Sequence, residues 1–328
     1  MTIMVTLVGM AIISSFLVYT AQQNAQAQIG IAATQDARRQ IVDDTNSAIV
    51  ATELNLGSIE KSLETAARSG VIQNGNPGQV ISLMKAVQLG SGRYSPNVLW
   101  LDSRGMLMQT TNVTLTGNPG QNLAQQQFFK EAQMAGQPFI TEPFTMAGTP
   151  SIAIVVPVMA QDGTFGGVLA ALVPLSAIEN LIVFNVGDTE GRGFIVITPT
   201  GNIIMNDNSP FTGSSIFDSG FQSSISSDTR DVANQSFNLM TRGESGIFEF
   251  TEKSSGQTVL LSYGPIQFLD THYLTLVSTS QLIEVTSFTN ALENQRIFNI
   301  IAIVLIAMIA VIFIVLILIF NKRLQGIV

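Results

Sequence analysis

The sequence has no cysteine, a single histidine and few charged residues. Of its 328 residues, 12% are charged and 46% are hydrophobic. Without cysteine the chain cannot form a disulfide, a thiolate metal site or a cysteine nucleophile, and a catalytic triad would have to use His272. The net charge of −8 argues against nucleic acid, which requires a basic surface. We therefore expect a protein that is not an enzyme, with no catalytic residues, metal site, cofactor or nucleic-acid partner.

The apolar excess lies at the two ends of the chain. The low charge does not, because residues 21–296 carry 36 of the 38 charged residues and are still only about 13% charged, against about 25% in soluble domains. Residues 300–320 form an uninterrupted apolar run, long enough to cross a ~30 Å hydrocarbon core as a helix. The basic residues Lys322 and Arg323 follow this run, which places the C-terminus in the cytoplasm. We predict a second transmembrane helix over residues 297–320 and a cytoplasmic segment over residues 321–328.

The first twenty residues predict a first transmembrane helix, with a cleaved signal peptide as the alternative. This stretch lacks the basic residues that open a signal peptide, although Ala25-Gln26-Ala27 would serve as a cleavage site. We favour an uncleaved helix over residues 1–20, because a helical pattern continues beyond it. Residues 21–296 would then be extracytoplasmic, both termini would be cytoplasmic, and the protein would lie in the plasma (inner) membrane.

A long helix is predicted over residues 21–70, where no proline occurs and Gly70 ends the pattern. At 1.5 Å per residue its length would be about 75 Å. A helix of this length is typical of a stalk that lines two stacked domains or pairs with a second copy, and a simple spacer coil is the alternative. Its apolar and small residues at helical spacing are Ile41, Thr45, Ala48, Ile49, Thr52, Leu56, Ile59, Leu63 and Ala66.

After Gly70 the sequence changes to short β-type runs separated by turns. These runs form two groups, which predict an α+β fold with a membrane-distal subdomain over residues 71–183 and a membrane-proximal subdomain over residues 184–284. A linker helix over residues 285–296 would follow. The runs are Val98–Leu101, Ile152–Val158, Gly167–Val173, Phe194–Ile197, Ile203–Met205, Gly246–Thr251, Thr258–Tyr263 and Tyr273–Ser278.

An ordered set of motifs between the two apolar segments resembles the double Cache (dCache, PAS-like) sensor domain over about residues 30–290. No single motif is specific, but their order along the chain matches the family. The motifs are Gln127-Phe-Phe-Lys-Glu-Ala132, Gly136-Gln-Pro-Phe-Ile-Thr-Glu-Pro-Phe144, Ile152–Val158, Gly166–Ala171, Gly193–Gly201, Leu261–Ile266 and Tyr273–Ser278.

The resemblance implies a long N-terminal helix, two PAS-like antiparallel-sheet subdomains and two flanking transmembrane helices. It also implies an extracellular small-molecule sensor of a chemotaxis receptor or histidine kinase, which forms a homodimer through the long helix. Residues 321–328 look like the start of a HAMP linker. The chain would be either a sensory module cut from a receptor with a cytoplasmic signalling module, or a stand-alone anchored sensor that works with a separate partner. The alternative function is a membrane-anchored structural or adhesive protein that uses the fold without signalling.

The resemblance places a candidate ligand pocket in the distal subdomain. The family's carboxylate-binding arginine falls on Gln126 and its ammonium-binding aspartate on Leu172, so both charged anchors are absent. A charged ligand group buried there would lack its partner, which predicts an uncharged or weakly polar small molecule in place of an α-amino acid. Alternatively, these side chains fill the core and no ligand binds. The candidate lining is Trp100, Gln126, Phe128, Phe144, Met146 and Leu172.

Overall fold

The computed structural model describes residues 2–186, 192–206 and 211–281, together with residues 297, 300, 301, 304, 308, 309, 311–319 and 322. Its contacts divide the chain into two compact units. One unit comprises Met1–Arg39 and Leu282–Val328, and the other is Gln40–Gln281. The second unit contains both β-sheets and every cavity considered below.

The long helix α1 spans Thr2–Arg68. This confirms the prediction of one uninterrupted helix, which ends just before Gly70, a glycine in the left-handed conformation with φ 70°. From Gln40 onward, one face of α1 is buried. The buried positions include every residue of the predicted stripe, namely Ile41, Thr45, Ala48, Ile49, Thr52, Leu56, Ile59, Leu63 and Ala66.

Within the part of the chain that the structure describes, no helix has both the length and the hydropathy that a membrane crossing requires. The predicted first span falls on a stretch of α1 where the side chains of residues 2–19 lie outside the described residues. The predicted second span is described at some positions only, and the predicted linker over residues 285–296 lies outside the described residues.

The distal sheet contains six antiparallel strands in the order β2-β1-β6-β5-β3, and β4 pairs with a further stretch of β5. Strands β5 and β6 are buried along most of their length, which agrees with their long apolar runs. The strands are β1 (Asn97–Asp102), β2 (Leu107–Thr110), β3 (Phe139–Ile140), β4 (Phe144–Met146), β5 (Thr149–Met159) and β6 (Phe165–Pro174).

Helices cover both faces of this sheet. The best-capped is α3, where Asn76 and Gln79 form a reciprocal capping box and Pro77 takes the first position. The helical elements of this subdomain are α2 (Val71–Asn74), α3 (Pro77–Gly90), a 3-10 turn (Gly92–Tyr94), α4 (Val113–Thr116), α5 (Gln127–Ala135) and α6 (Leu175–Val186).

The proximal sheet contains five antiparallel strands in the order β8-β7-β11-β10-β9. With the distal sheet, it confirms the predicted α+β fold, and each predicted β-run lies within a strand. The elements are β7 (Arg192–Ile197), β8 (Ile203–Asn206), α7 (Ser219–Ser224), α8 (Arg230–Thr241), β9 (Gly246–Thr251), β10 (Thr258–Phe268) and β11 (Thr271–Gln281).

One hydrophobic cluster joins α1 to both sheets. It includes Leu56 and Leu63 of α1, Val156 of the distal sheet, and Phe194 and Leu276 of the proximal sheet. Because all these side chains share one core, the two sheets are held against the same helix within this unit.

Polar contacts add to this packing. Arg192 Nη1 lies 2.6 Å from Asp44 Oδ2, and the backbone N–H of Gln267 donates to Glu53 Oε1 at 2.7 Å. These two contacts tie the proximal sheet to α1. The Tyr273 hydroxyl of β11 also donates to the carbonyl of Thr141, the residue after β3, at 2.7 Å, which links the two sheets.

We expect Leu56→Ala to lower the free energy of unfolding by about 2–5 kcal/mol, because Leu56 is fully buried where α1 meets the core. Leu89→Ala is the control, because Leu89 in α3 is 82% exposed, and we expect a change within about 0.5 kcal/mol. Urea unfolding of the purified chain in detergent measures both. Equal losses for the two variants would show that the α1 stripe does not hold the unit together.

Candidate functional site

Four of the six predicted lining residues lie together on the face of the distal sheet that α1 does not cover. Phe128, Met146 and Leu172 are buried in one hydrophobic cluster, and Phe144 packs against it half-buried. The ring centroids of Phe128 and Phe144 are 6.1 Å apart. These side chains therefore contact one another as a core, which favours the filled-core alternative for this group.

Trp100 does not join them. On β1 successive side chains alternate between the two faces of the sheet. Leu99 and Leu101 point into the cluster that contains Phe128 and Leu172, here called the outer cluster. Val98 and Trp100 point into the cluster that contains α1. A Cβ atom at Gly167 would come within 2.7 Å of Trp100 Cη2, so the indole packs closely over β6. Trp100 therefore lies on the opposite face of the sheet from Phe128 and Leu172.

Gln126 lies at the start of α5, at the edge of the outer cluster. It is half-buried in an extended conformation, and its carbonyl accepts from the N–H of Phe129 at 3.1 Å. Its side chain does not cap the helix. Gln126 is the one polar residue of the predicted set, and it is the N-cap of the helix that carries Phe128 and Phe129.

An open cavity of about 470 Å³, here called the distal cleft, lies at the end of the same sheet. It is located where β1 and β5 begin and β6 ends, next to two residues of the predicted lining. Met146 precedes Ala147 in the chain, and Leu172 pairs with Asn97 between β6 and β1. The residues that line the cleft are Gln88, Ser95, Asn97, Asn112, Thr114, Leu115, Ala147, Thr149 and Pro174, and none of them is charged.

Hydrogen bonds among uncharged side chains position the cleft. The Thr111 hydroxyl donates to Asn97 Oδ1 at 3.3 Å and accepts from the N–H of Val98 at 3.0 Å. Next to Thr111, Asn112 Oδ1 caps α4 by accepting from the N–H of Thr114 at 2.9 Å. The cleft thus presents amides and hydroxyls that can donate or accept hydrogen bonds without carrying charge.

The backbone of the cleft is strained at two points. Ser95 has φ 37° and Ala147 has φ 46°, and they are two of the four non-glycine residues with positive φ among the described residues. A side chain in this region costs about 1–2 kcal/mol, because Cβ crowds the following carbonyl. Such strain concentrates at binding sites, where the surroundings hold the backbone in place.

Sequence reasoning missed this cleft, because its residues come from several distant segments and belong to no motif. Pro96 and Gly148 are local turn signals. Neither indicates that the residue before it, Ser95 or Ala147, has a positive φ. Only the assembled sheet brings Asn97, Asn112 and Thr149 to one cavity.

A second cavity of about 470 Å³ lies beside the last turn of α1 and includes Glu64, Arg68 and Gln73 in its lining. Arg68 Nη2 lies 3.3 Å from Glu64 Oε1, and Gln73 Nε2 donates to the Met159 carbonyl. Because these polar groups already satisfy one another, this cavity is a weaker candidate than the distal cleft.

The described residues contain no group of three or more histidine and acidic residues that could hold a metal ion. Among the buried acids and phenols, burial and the neighbouring Glu64 raise the pKa of Glu60. Burial also raises the pKa of Tyr94 and, with a contribution from Glu142, that of Tyr273. Each of these shifts follows mainly from loss of water around the group, which is the ordinary effect of a core position.

Comparisons with known proteins identify the fold. A protein-family model described as a Cache domain matches residues 19–287. No curated protein sequence matches the chain. Among solved structures, the ligand-binding domain of the Pseudomonas aeruginosa PAO1 amino acid chemoreceptor PctB, in complex with L-Arg, is 17% identical with a TM-score of 0.56. That match covers 76% of this chain and 97% of the other.

Two further structures are similar. The extracellular domain of rpHK1S-Z16, described as a histidine kinase, is 16% identical with a TM-score of 0.58, over 79% of this chain and 99% of the other. An extracellular ligand binding receptor from Desulfohalobium retbaense DSM5692 is 16% identical with a TM-score of 0.57, over 72% of this chain but 39% of the other. This chain therefore spans well under half of that receptor's length, and identities of this size show a shared fold alone.

The single histidine provides a test by pH. His272 is half-buried, its Nε2 lies 2.9 Å from Thr275 Oγ1, and burial lowers its pKa below the ordinary value of 6.5. The folded state therefore favours the neutral ring, so its contribution to stability is complete above pH 6.5 and is lost as the pH falls from there through the folded pKa.

We expect the free energy of unfolding to fall more steeply between pH 7.5 and 5.5 in the native chain than in His272→Gln. The difference between the two curves isolates the histidine, since Glu60 and the other acids are common to both. Urea titrations at stepped pH measure it. Parallel curves would show that the ring is as easily protonated in the folded state as in the unfolded state.

Proposed function

The chain belongs to the Cache domain family, and on this basis we propose that residues 21–296 are the extracytoplasmic small-molecule sensing module of a transmembrane receptor of the chemotaxis or histidine kinase type. The distal cleft is the observation that carries this proposal. Its volume of about 470 Å³ lies within the range of small-molecule sites. Its strained, hydrogen-bonded lining is costly to maintain unless it serves binding.

We propose an uncharged polar ligand, such as a polyol, sugar or neutral amide. The cleft offers the amides of Asn97 and Asn112 and the hydroxyls of Ser95, Thr114 and Thr149, and no charged group lines it. A carboxylate or ammonium buried there would lose water without gaining a charged partner. In this proposal Met146 and Leu172 support the cleft from the core side, and Phe128 and Phe144 stabilise that core.

The proposed signal passes from the distal sheet to α1 and the proximal sheet. All three share one hydrophobic core, and the hydrogen bond from Tyr273 to Thr141 links the two sheets directly. A ligand that binds one arrangement of these contacts more tightly than another shifts the equilibrium between them by its differential affinity. The predicted linker helix over residues 285–296, which would carry the signal onward, lies outside the described residues.

We propose that the protein crosses the membrane twice. At the described positions between residues 311 and 319, large apolar side chains are exposed, with Phe313 at 63% and Ile312 at 59%. An apolar surface of this kind is stable in lipid and unfavourable in water. Lys322 and Arg323 after this run support a cytoplasmic C-terminus, joined in the receptor to a signalling module.

A homodimer through α1 is also proposed. The helix face opposite the buried stripe carries Val50, which is 52% exposed, and Leu54, which is 68% exposed, at adjacent turns. Asp43 and Lys61 lie on the same exposed face, before and after this apolar pair. The same face of a second α1 would cover Val50 and Leu54.

The ligand proposal is tested by thermal unfolding of the full chain in detergent with a library of sugars, polyols, neutral amides, amino acids, carboxylates and amines. We expect at least one uncharged polar compound to raise the melting temperature, because binding at 100 times Kd stabilises by about 2.7 kcal/mol. Thr114→Trp is expected to abolish this rise, since Thr114 is exposed at the rim of the cleft.

Thr145→Trp is the matched control, because Thr145 is equally exposed in the same subdomain but does not line the cleft. A compound that still stabilises Thr114→Trp binds elsewhere. Stabilisation by an α-amino acid, which carries both a carboxylate and an ammonium group, would contradict the assignment of an uncharged ligand. If no compound stabilises the chain, a structural or adhesive role is favoured over sensing.

The dimer is tested by cysteine crosslinking, which is clean because the native chain has no cysteine. We expect Leu54→Cys to form a disulfide-linked dimer under mild oxidation in the membrane, since two copies of the α1 face would bring these residues together. Gln125→Cys, exposed on the distal subdomain, is expected to remain monomeric on a non-reducing gel. Equal crosslinking of both variants would indicate random collision.

A further inference from the structure

A further cavity lies in the proximal subdomain, on the face of its sheet that α1 does not cover. Its volume is about 170 Å³, and it is separate in residues from the distal cleft. Residues from α7, α8 and strands β7 to β11 line it. We call this space the proximal cavity. Its lining includes Phe221, Phe237, Phe250, Glu252, Leu261 and Val277.

The walls of the proximal cavity are aromatic and rigid. Phe221 packs edge-to-face with Phe237 at 5.8 Å between centroids, and Phe237 packs in the same way with Phe248 at 5.9 Å. Phe221 also meets Phe211 at 5.4 Å. Because each ring is held by the next, these side chains cannot readily rotate to fill the space. Closely packed interiors rarely leave a void of this size.

The size of the proximal cavity limits its occupant to a molecule with about one six-membered ring. An engineered apolar cavity of about 150 Å³ binds benzene. The proximal cavity is slightly larger and is likewise lined mainly by carbon, so a phenyl-sized body fits it with space for a short polar end.

One charged residue, Glu252, lines the proximal cavity among the described residues, and no basic residue does. Its position is set by the bridge to Ile225 and by Ser255, whose hydroxyl donates to Glu252 Oε2 at 2.6 Å. The carboxylate of Glu252 favours an ammonium group through a charge-assisted contact, and phenylalanine rings interact more favourably with a cation than with an anion. The same groups repel a carboxylate.

We propose that the proximal cavity binds a small primary amine with an apolar, ring-sized body, whose ammonium group pairs with Glu252 while its body lies among Phe221, Phe237 and Phe250. This site is independent of the distal cleft, and its charge preference is different. The module would therefore respond to two chemically distinct small molecules.

The test uses the full chain in lipid nanodiscs, with empty nanodiscs as the blank, and calorimetric titration at pH 7 with benzylamine, benzyl alcohol and benzoate. We expect benzylamine to bind about tenfold tighter than benzyl alcohol, as one charge-assisted contact allows. No binding is expected for benzoate. Glu252→Gln should reduce benzylamine affinity to that of benzyl alcohol, whereas Asp270→Asn, the same change at an exposed position outside the cavity, should leave it unchanged.

Two further variants locate the site. Val277→Phe fills the cavity and should abolish binding of both benzylamine and benzyl alcohol, provided that circular dichroism shows a folded chain. Thr114→Trp, which blocks the distal cleft, should leave benzylamine binding unchanged. The proposal is overturned if Glu252→Gln binds benzylamine with native affinity, if benzoate binds as well as benzylamine, or if Thr114→Trp abolishes binding. If Val277→Phe does not fold, Glu252→Gln alone decides.

Discussion

The buried face of α1 is the contact on which both sheets depend. Leu56, Ile59 and Leu63 are completely buried there, and the cluster that contains them includes residues of each sheet. Either sheet without this helix would expose a long apolar face to water, at about 25 cal/mol per Å². Without the sheets, the apolar stripe of α1 would in turn be exposed to water. The three parts therefore stabilise one another as a single unit.

Each sheet packs against α1 with one face only, and its other face is covered by other helices. The outer face of the distal sheet is packed by α5 and its phenylalanines, and the distal cleft opens only where the strands end. The outer face of the proximal sheet is packed less completely by α7 and α8, which leaves the proximal cavity among aromatic rings. In both subdomains the face toward α1 carries the connection between the sheets. Space for a ligand lies at the strand ends in the distal subdomain and on the face away from α1 in the proximal one.

The architecture was predictable from the sequence to a large extent, because the patterns that produce it are local. The α1 stripe, the end of α1 before Gly70 and the eight β-runs all follow from periodicity and turn residues, and the structure contains each of them. Strands β2, β3 and β4 were not predicted, since they are short and lack an apolar run. The pocket was harder to predict. Phe128, Phe144, Met146 and Leu172 lie in or against one cluster, whereas Trp100 lies in the cluster that contains α1, because the resemblance indicated its strand and not the direction of its side chain.

By itself, the sequence determined that this is a charge-poor chain without cysteine chemistry, with one long amphipathic helix, two groups of strands and no charged anchors at Gln126 and Leu172. These are properties of single segments, because the spacing of apolar residues within one segment indicates its secondary structure. Only the tertiary structure decided which side chains fill the distal core and which line a cleft. It also brought Glu252 to the mouth of an aromatic cavity. Cavities form between elements distant in the chain, so their position depends on how the strands align and how tightly the helices pack, which no local pattern specifies.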